Sequence, residues 1–223
     1  MTLTRINLAS GGGDVPAFRW HIIEHGKMFN VAGVDILPAN VEHGLKSPKD
    51  KNNKDPFLCL SFIFPNYGIY MSDVSRIPDE TYKLIEQTFK NKRNPKFFIL
   101  DCLKWNSHLS HFGFEQSLNA AYKVKSMYCY LTGFGHERTH DNWNKLIEEH
   151  WNNESDILKR IKRSYNEDHN DNTLTSIIKP SYDGLSISIN NNGDIIEKWD
   201  MTKYINKNAF KINLSNGFLK IYL

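Results

Sequence analysis

The chain has 223 residues, with 28 Lys and Arg against 25 Asp and Glu and a formal net charge of +3. That length fits one domain able to bury a hydrophobic core, and the charge is too balanced to argue for a nucleic-acid surface. Cys59, Cys102 and Cys129 each sit in an apolar run. Their odd number and setting argue against a disulfide framework and make a reducing compartment, the cytoplasm, the default expectation.

Elements follow in chain order. Gly11, Gly12 and Gly13 lack the Lys-Ser/Thr of a phosphate-binding loop and read as a flexible turn. Residues 31–43, "VAGVDILPANVEH", predict a strand ending on His43, and "KSPKDKNNKDP" a charged loop. The longest apolar run, Phe57 to Tyr70, is broken by Ser61, Pro65 and Asn66, and the first residues lack a charged-then-apolar leader. Neither a membrane span nor a signal peptide is expected. "GIYMSD" ends a strand at Asp73. The next stretch opens with Pro78, Asp79 and Glu80 and spaces Tyr82, Ile85 and Phe89 at helical intervals. "KFFILD" is a continuous apolar run ending at Asp101, as a strand buried on both faces would be. Phe114, Leu118 and Ala121 mark a second helix, and "SMYCYLT" is a strand running into Gly133 and Gly135 before His136. Strands alternating with helices predict an α/β domain. Three strands deliver polar residues just past their C-terminal ends, where open α/β sheets place their sites.

Trp143, Leu146, Ile147, His150 and Trp151 predict an amphipathic helix, and "SYNEDHNDNT" an exposed linker. "SISINNNGDIIEKW" and "FKINLSNGFLKIYL" each set Asn-Gly between β-rich runs and predict hairpins. The basic clusters Lys90 to Arg93 and Leu158 to Arg163 read as solvated helix ends, because no stacking aromatics alternate with them.

Four of the nine histidines, His108, His111, His136 and His140, fall within 33 residues. Metal chemistry needs neutral imidazoles and carboxylates held by rigid elements. His43, Asp73, His111 and His136 each lie at a predicted strand end or just after one. Asp101 either caps the following turn or supports a ligand from behind. His108 and His111, three apart, share a helical face if the helix begins that early. His140 falls near the start of the next helix, where solvent suffices.

In order, "ILPANVEHG", "YMSDVSRIP", "ILDCLKWNSHLSHFGFEQSL", "YLTGFGHERTH" and "SYDGL" resemble the metallo-β-lactamase-fold hydrolases. The likeness is nearest to eukaryotic relatives of the bacterial phosphodiesterase of phosphonate breakdown, and more distant to tRNA 3′-processing endonucleases. It covers about residues 8–189, "SGGGDVPAF" included. The resemblance implies an α/β sandwich of the αββα kind, with two β-sheets flanked by helices and two divalent metal ions, zinc or manganese. His43 matches a histidine ligand and Asp73 the aspartate that bridges both ions. His111 matches the histidine that contacts the scissile phosphate or acts as general acid. The family's last ligand stands in an "LTH" triplet that here reads "LTG", with Gly133 in the histidine's place. His136 is the natural substitute and His140 the second choice; Asp101, His108 and His140 are possible supporting residues.

The departure is the missing H-x-H-x-D-H signature. The expectation is therefore the second part of such a domain over residues 1–195, with an insertion at about 141–176 and a C-terminal β extension over 196–223. Metal binding is expected to be weak or partial. The implied activity is metal-dependent hydrolysis of a phosphodiester or cyclic phosphate, with a small-molecule or nucleotide-like phosphoester as partner and no membrane or nucleic acid. The alternative is a catalytically incomplete remnant or interaction module.

Overall fold

The computed structural model describes residues 4–6, 17–19, 21–49, 52, 54–90, 94–153, 155–165, 176–190, 194–199, 211–215 and 218–222. The glycine run at 11–13, Lys92 and Arg93 of the first basic cluster, and the linker from residue 166 onward lie outside them.

β1 (Thr4–Ile6) and β2 (Ala17–Arg19) form a small antiparallel ladder. β3 (Phe29–Val31) reverses through Ala32 and Gly33, at φ 51° and 85°, into β4 (Val34–Leu45). Two residues with positive φ give the tight turn whose twist suits a hairpin. The sequence pattern suggested one strand from residue 31 to His43. The chain turns instead because Asn30 closes the reversal: its Oδ1 accepts from Gly33 N (3.0 Å) and its amide donates to Asp35 (2.7 Å).

β5 (Pro56–Phe64) and β6 (Gly68–Met71) continue the antiparallel run. β7 (Phe97–Asp101), β8 (Tyr128–Thr132) and β9 (Ile177–Pro180) then join parallel to β6, completing a seven-stranded sheet in chain order. Parallel neighbours need long crossovers, which helices supply here. α1 (Asp79–Phe89) begins behind an extended Pro78 and buries Thr81, Ile85 and Phe89 on one face. α2 (Phe114–Val124) starts where Gln116 Oε1 accepts from Gly113 N (2.9 Å) and stops at Lys125, whose φ is 53°. α3 (His140–Ile147), capped by Thr139, runs into a π-helical turn at Glu148–Asn152, and α4 (Asp156–Ser164) is capped by Ser155. In the π turn Trp151 is buried, and its Nε1 donates to Ser176 O (2.8 Å) at the entry to β9.

The core is legible in the two-residue alternation of β7. Phe98 and Leu100 pack under the helices with Leu118, Ala121 and Trp143, while Phe97 and Ile99 face a second sheet. Each fully buried Leu, Ile or Phe side chain among them contributes about 1.5–3 kcal/mol. The second sheet holds β10 (Leu185–Ile189), β11 (Ile195–Trp199), β12 (Lys211–Ser215) and β13 (Phe218–Tyr222), all antiparallel, in the order β11-β10-β13-β12. Leu185, Ile187 and Ile189 cover Phe97, Ile99 and Tyr130. Tyr130 OH donates to Glu197 (2.6 Å), which also meets Lys179 Nζ (2.9 Å), so a hydrogen-bonded group fastens the two sheets. Three layers result, helices on sheet on sheet. β11 crosses the boundary at 195/196, and Trp143, Ile147, Trp151, Ile157, Leu158 and Ile161 in the region 141–176 are core residues. No described helix is long and apolar enough to cross a membrane.

Candidate metal centre

The sheet converges on one edge, where β4, β6 and β7 end together. β4 loses regular register against β5 between Glu42 and Leu45. The segment after β6 folds onto this irregularity: Glu42 N donates to Arg76 O (2.9 Å) and Ser75 N to Glu42 O (2.7 Å). Ser75 Oγ bonds Glu42 O (3.0 Å) and accepts from Gly44 N (2.9 Å), which locks the bulge that presents His43. Gly44 stands at φ 75°, and a Cβ there would lie 3.2 Å from Leu109 O, so a side chain would strain the backbone and press the loop carrying His111 back by a few tenths of an ångström. Asp73 takes φ 55°, a left-handed conformation that Asp tolerates better than most residues but that still carries strain.

One potential ligand atom from each of His43, Asp73 and His111 lies within 4.8 Å of the other two. Among the described residues this is the one group of three or more His, Cys, Asp or Glu side chains so placed. The two imidazole rings meet at 81° with centroids 4.7 Å apart.

Hydrogen bonds on the far side of each ring set its chemistry. His43 Nδ1 lies 2.6 Å from Ser110 O, and a carbonyl can only accept, so Nδ1 carries the proton and Nε2 is bare in the neutral ring. His111 Nδ1 lies 2.8 Å from Asp101 Oδ2, which also accepts from Val74 N (3.0 Å). Asp101, only 3% exposed, therefore both caps the turn after β6 and orients His111. Burial pushes the Asp101 carboxyl above its ordinary range, and the Val74 amide and His111 pull against that shift. Carboxylate and carbonyl partners on Nδ1 are the arrangement that orients metal-binding imidazoles. Two bare imidazole nitrogens and one exposed carboxylate fit a borderline divalent cation, with coordination positions left open.

The other histidines go elsewhere. His108 Nδ1 accepts from Ser110 N (3.4 Å), and its ring centroid is 5.7 Å from that of His111, so it adjoins the group without joining it. His136 is exposed on the turn after β8 and lies outside the group of three. Gly135 N donates to Leu103 O (2.7 Å), Glu137 accepts from Trp105 N (3.2 Å) and Phe134 stacks on Trp143 (4.7 Å between centroids). These contacts hold the loop against an aromatic cluster and carry His136 into solvent. His140 opens α3 with Nε2 3.4 Å from Pro180 O and its ring 5.3 Å from that of Tyr182. Ser75, Ser110 and Val74 act through one hydroxyl and backbone groups, which leave no mark in a sequence.

No protein-family model matches the chain, and no curated protein matches it in sequence. In structure it is similar to a diphosphatase of the PhnP family, with 19% identity, TM-score 0.48 and coverage of 78% of this chain and 47% of that one. It is similar to the metallo-β-lactamase-fold protein YhfI from Bacillus subtilis (12%, TM-score 0.43, 79% and 54%) and to unliganded yeast PDE1 (12%, TM-score 0.44, 72% and 47%). The chain spans about half the length of each.

Proposed function

We propose that the chain is a metal-dependent hydrolase acting on a phosphodiester or cyclic phosphate, with His43, Asp73 and His111 holding one divalent cation, zinc or manganese. The observation that carries this reading is the convergence of the three side chains with both imidazoles tied back through Nδ1. When bound, the cation supplies Lewis-acid polarisation of a phosphoryl oxygen and activation of water. The chain's own residues position it. Ser110 O and Asp101 fix the two rings, Val74 N and His111 hold the Asp101 carboxylate, and Ser75 keeps the bulge that presents His43. The test is hydrolysis of bis(p-nitrophenyl) phosphate and of a cyclic nucleotide with added zinc or manganese. Turnover that requires metal and disappears in His43→Ala and Asp73→Asn supports the reading; turnover unaffected by a chelator contradicts it.

A second reading is a catalytically incomplete remnant. It is favoured by the ligand count, since three donors among the described residues suit one ion rather than two. Metal binding without turnover on any phosphodiester would select it.

A further inference from the structure

Two exposed apolar residues adjoin the candidate ligands, Phe57 in space and Leu109 along the chain. Phe57, on β5 opposite the bulge, is 49% exposed and presents its ring at 65° to His43, with centroids 6.3 Å apart. Leu109 is 83% exposed, on the same loop as Ser110 and His111, with its backbone against Gly44. Phe57 shares the β5 face of Cys59, Ser61 and Ile63, the face under the helices, so it continues the core side of the sheet out to His43. Isolated apolar surface residues need no explanation, but Phe57 borders the polar group directly and Leu109 is exposed two residues before His111, so a ligand seated at the group has apolar surface to cover.

The charges complete the argument. A divalent cation held by His43, Asp73 and His111 is offset by the Asp73 and Asp101 carboxylates and keeps open coordination positions. Such a position takes an oxyanion as a ligand, and the neighbouring surface offers apolar contact. Resting on the metal-centre reading above, we infer that the site selects oxyanions carrying an aryl group, with the head at the cation and the ring against Phe57 and Leu109.

The test uses the zinc-loaded chain and two probes with the same head group, phenylphosphonate and methylphosphonate, at a pH where both are dianions, with Kd from calorimetry. Zinc binding is measured first. Phenylphosphonate should bind at least about tenfold more tightly, the difference expected for covering one half-exposed aromatic side chain. In Phe57→Ala/Leu109→Ala the two probes should differ by less than about threefold, with zinc affinity unchanged. Leu109→Ala alone should fall between and guards against a folding defect at Phe57. Equal affinities in the wild-type chain with zinc bound would overturn this inference alone, and absence of zinc binding would overturn the metal centre and the inference together. A chain that self-associates through Phe57 and Leu109, with a probe ratio the double variant does not change, would identify a second copy as the occupant and overturn it too.

Discussion

Neighbouring parallel strands β7 and β8 end at the same sheet edge, and each is followed by a loop that carries histidine. The first, residues 102–113, folds back on itself: Leu103 N donates to Phe112 O (3.0 Å), Phe114 N to Lys104 O (2.9 Å), and His111 meets Asp101 at the root of the loop. The second, residues 133–139, is fastened through Phe134, Gly135 and Glu137 to the aromatic cluster, and His136 is exposed. Both loops have glycine, and both have histidine within a few residues of a strand or helix end. The difference is a buried carboxylate: among the described residues Asp101 is the one buried Asp or Glu, and it orients His111 rather than His136.

The largest expected effect breaks the comparison directly. His111→Ala should weaken zinc binding more than about 100-fold, whereas His136→Ala should leave it within about twofold; competition with a fluorescent chelator reads both. Asp101→Asn keeps the shape of the support and removes its charge. It should cost about 10–100-fold in zinc affinity while the fold persists.

The strand ends were legible because parallel strands buried on both faces write continuous apolar runs, and "KFFILD" and "SMYCYLT" end where β7 and β8 end. The two hairpins were legible from another local signal, Asn-Gly between β-rich runs; the flanking strands pair antiparallel, and the Asn-Gly residues lie outside the described residues. Their union through β10 and β13 was not, since that pairing joins residues far apart in sequence. The turn at Ala32 was hidden because alanine rarely takes positive φ. His43 and Asp73 could be nominated from position at strand ends. His111 and His136 were nominated on the same ground, and what separates them in space, one loop closing on Asp101 and the other on Trp105 and Trp143, depends on contacts between residues far apart in sequence.

Gly133 sharpens the contrast from the other loop. Its φ is 79°, and a Cβ there would sit 2.9 Å from Asp101 Oδ1. Gly133→Ala should therefore destabilise the chain by about 1–2 kcal/mol and weaken zinc binding several-fold through Asp101, measured by urea unfolding beside the zinc titration. Phe134→Ala should separate the two effects, lowering stability by a similar amount, about 1–2 kcal/mol, through its lost stack on Trp143 while zinc affinity holds.

The smallest effect concerns the junction of the two loops. Cys102 N donates to Thr132 O (2.8 Å), joining their roots, and burial pushes the Cys102 thiol up to about 12. Native-state alkylation near neutral pH should modify the half-buried Cys59 first and leave Cys102 untouched. Reaction at Cys102 should quicken only in Gly133→Ala, followed by mass spectrometry.

The central claim, that His43 and His111 face a common ion through Nε2, is tested most directly by long-range proton–nitrogen spectra of the histidine rings during a zinc titration. The account predicts that His43 and His111 begin as Nδ1-protonated tautomers, that their Nε2 resonances shift together on zinc addition, and that His136 is unmoved. A zinc-dependent shift at His136 with none at His111 would contradict it.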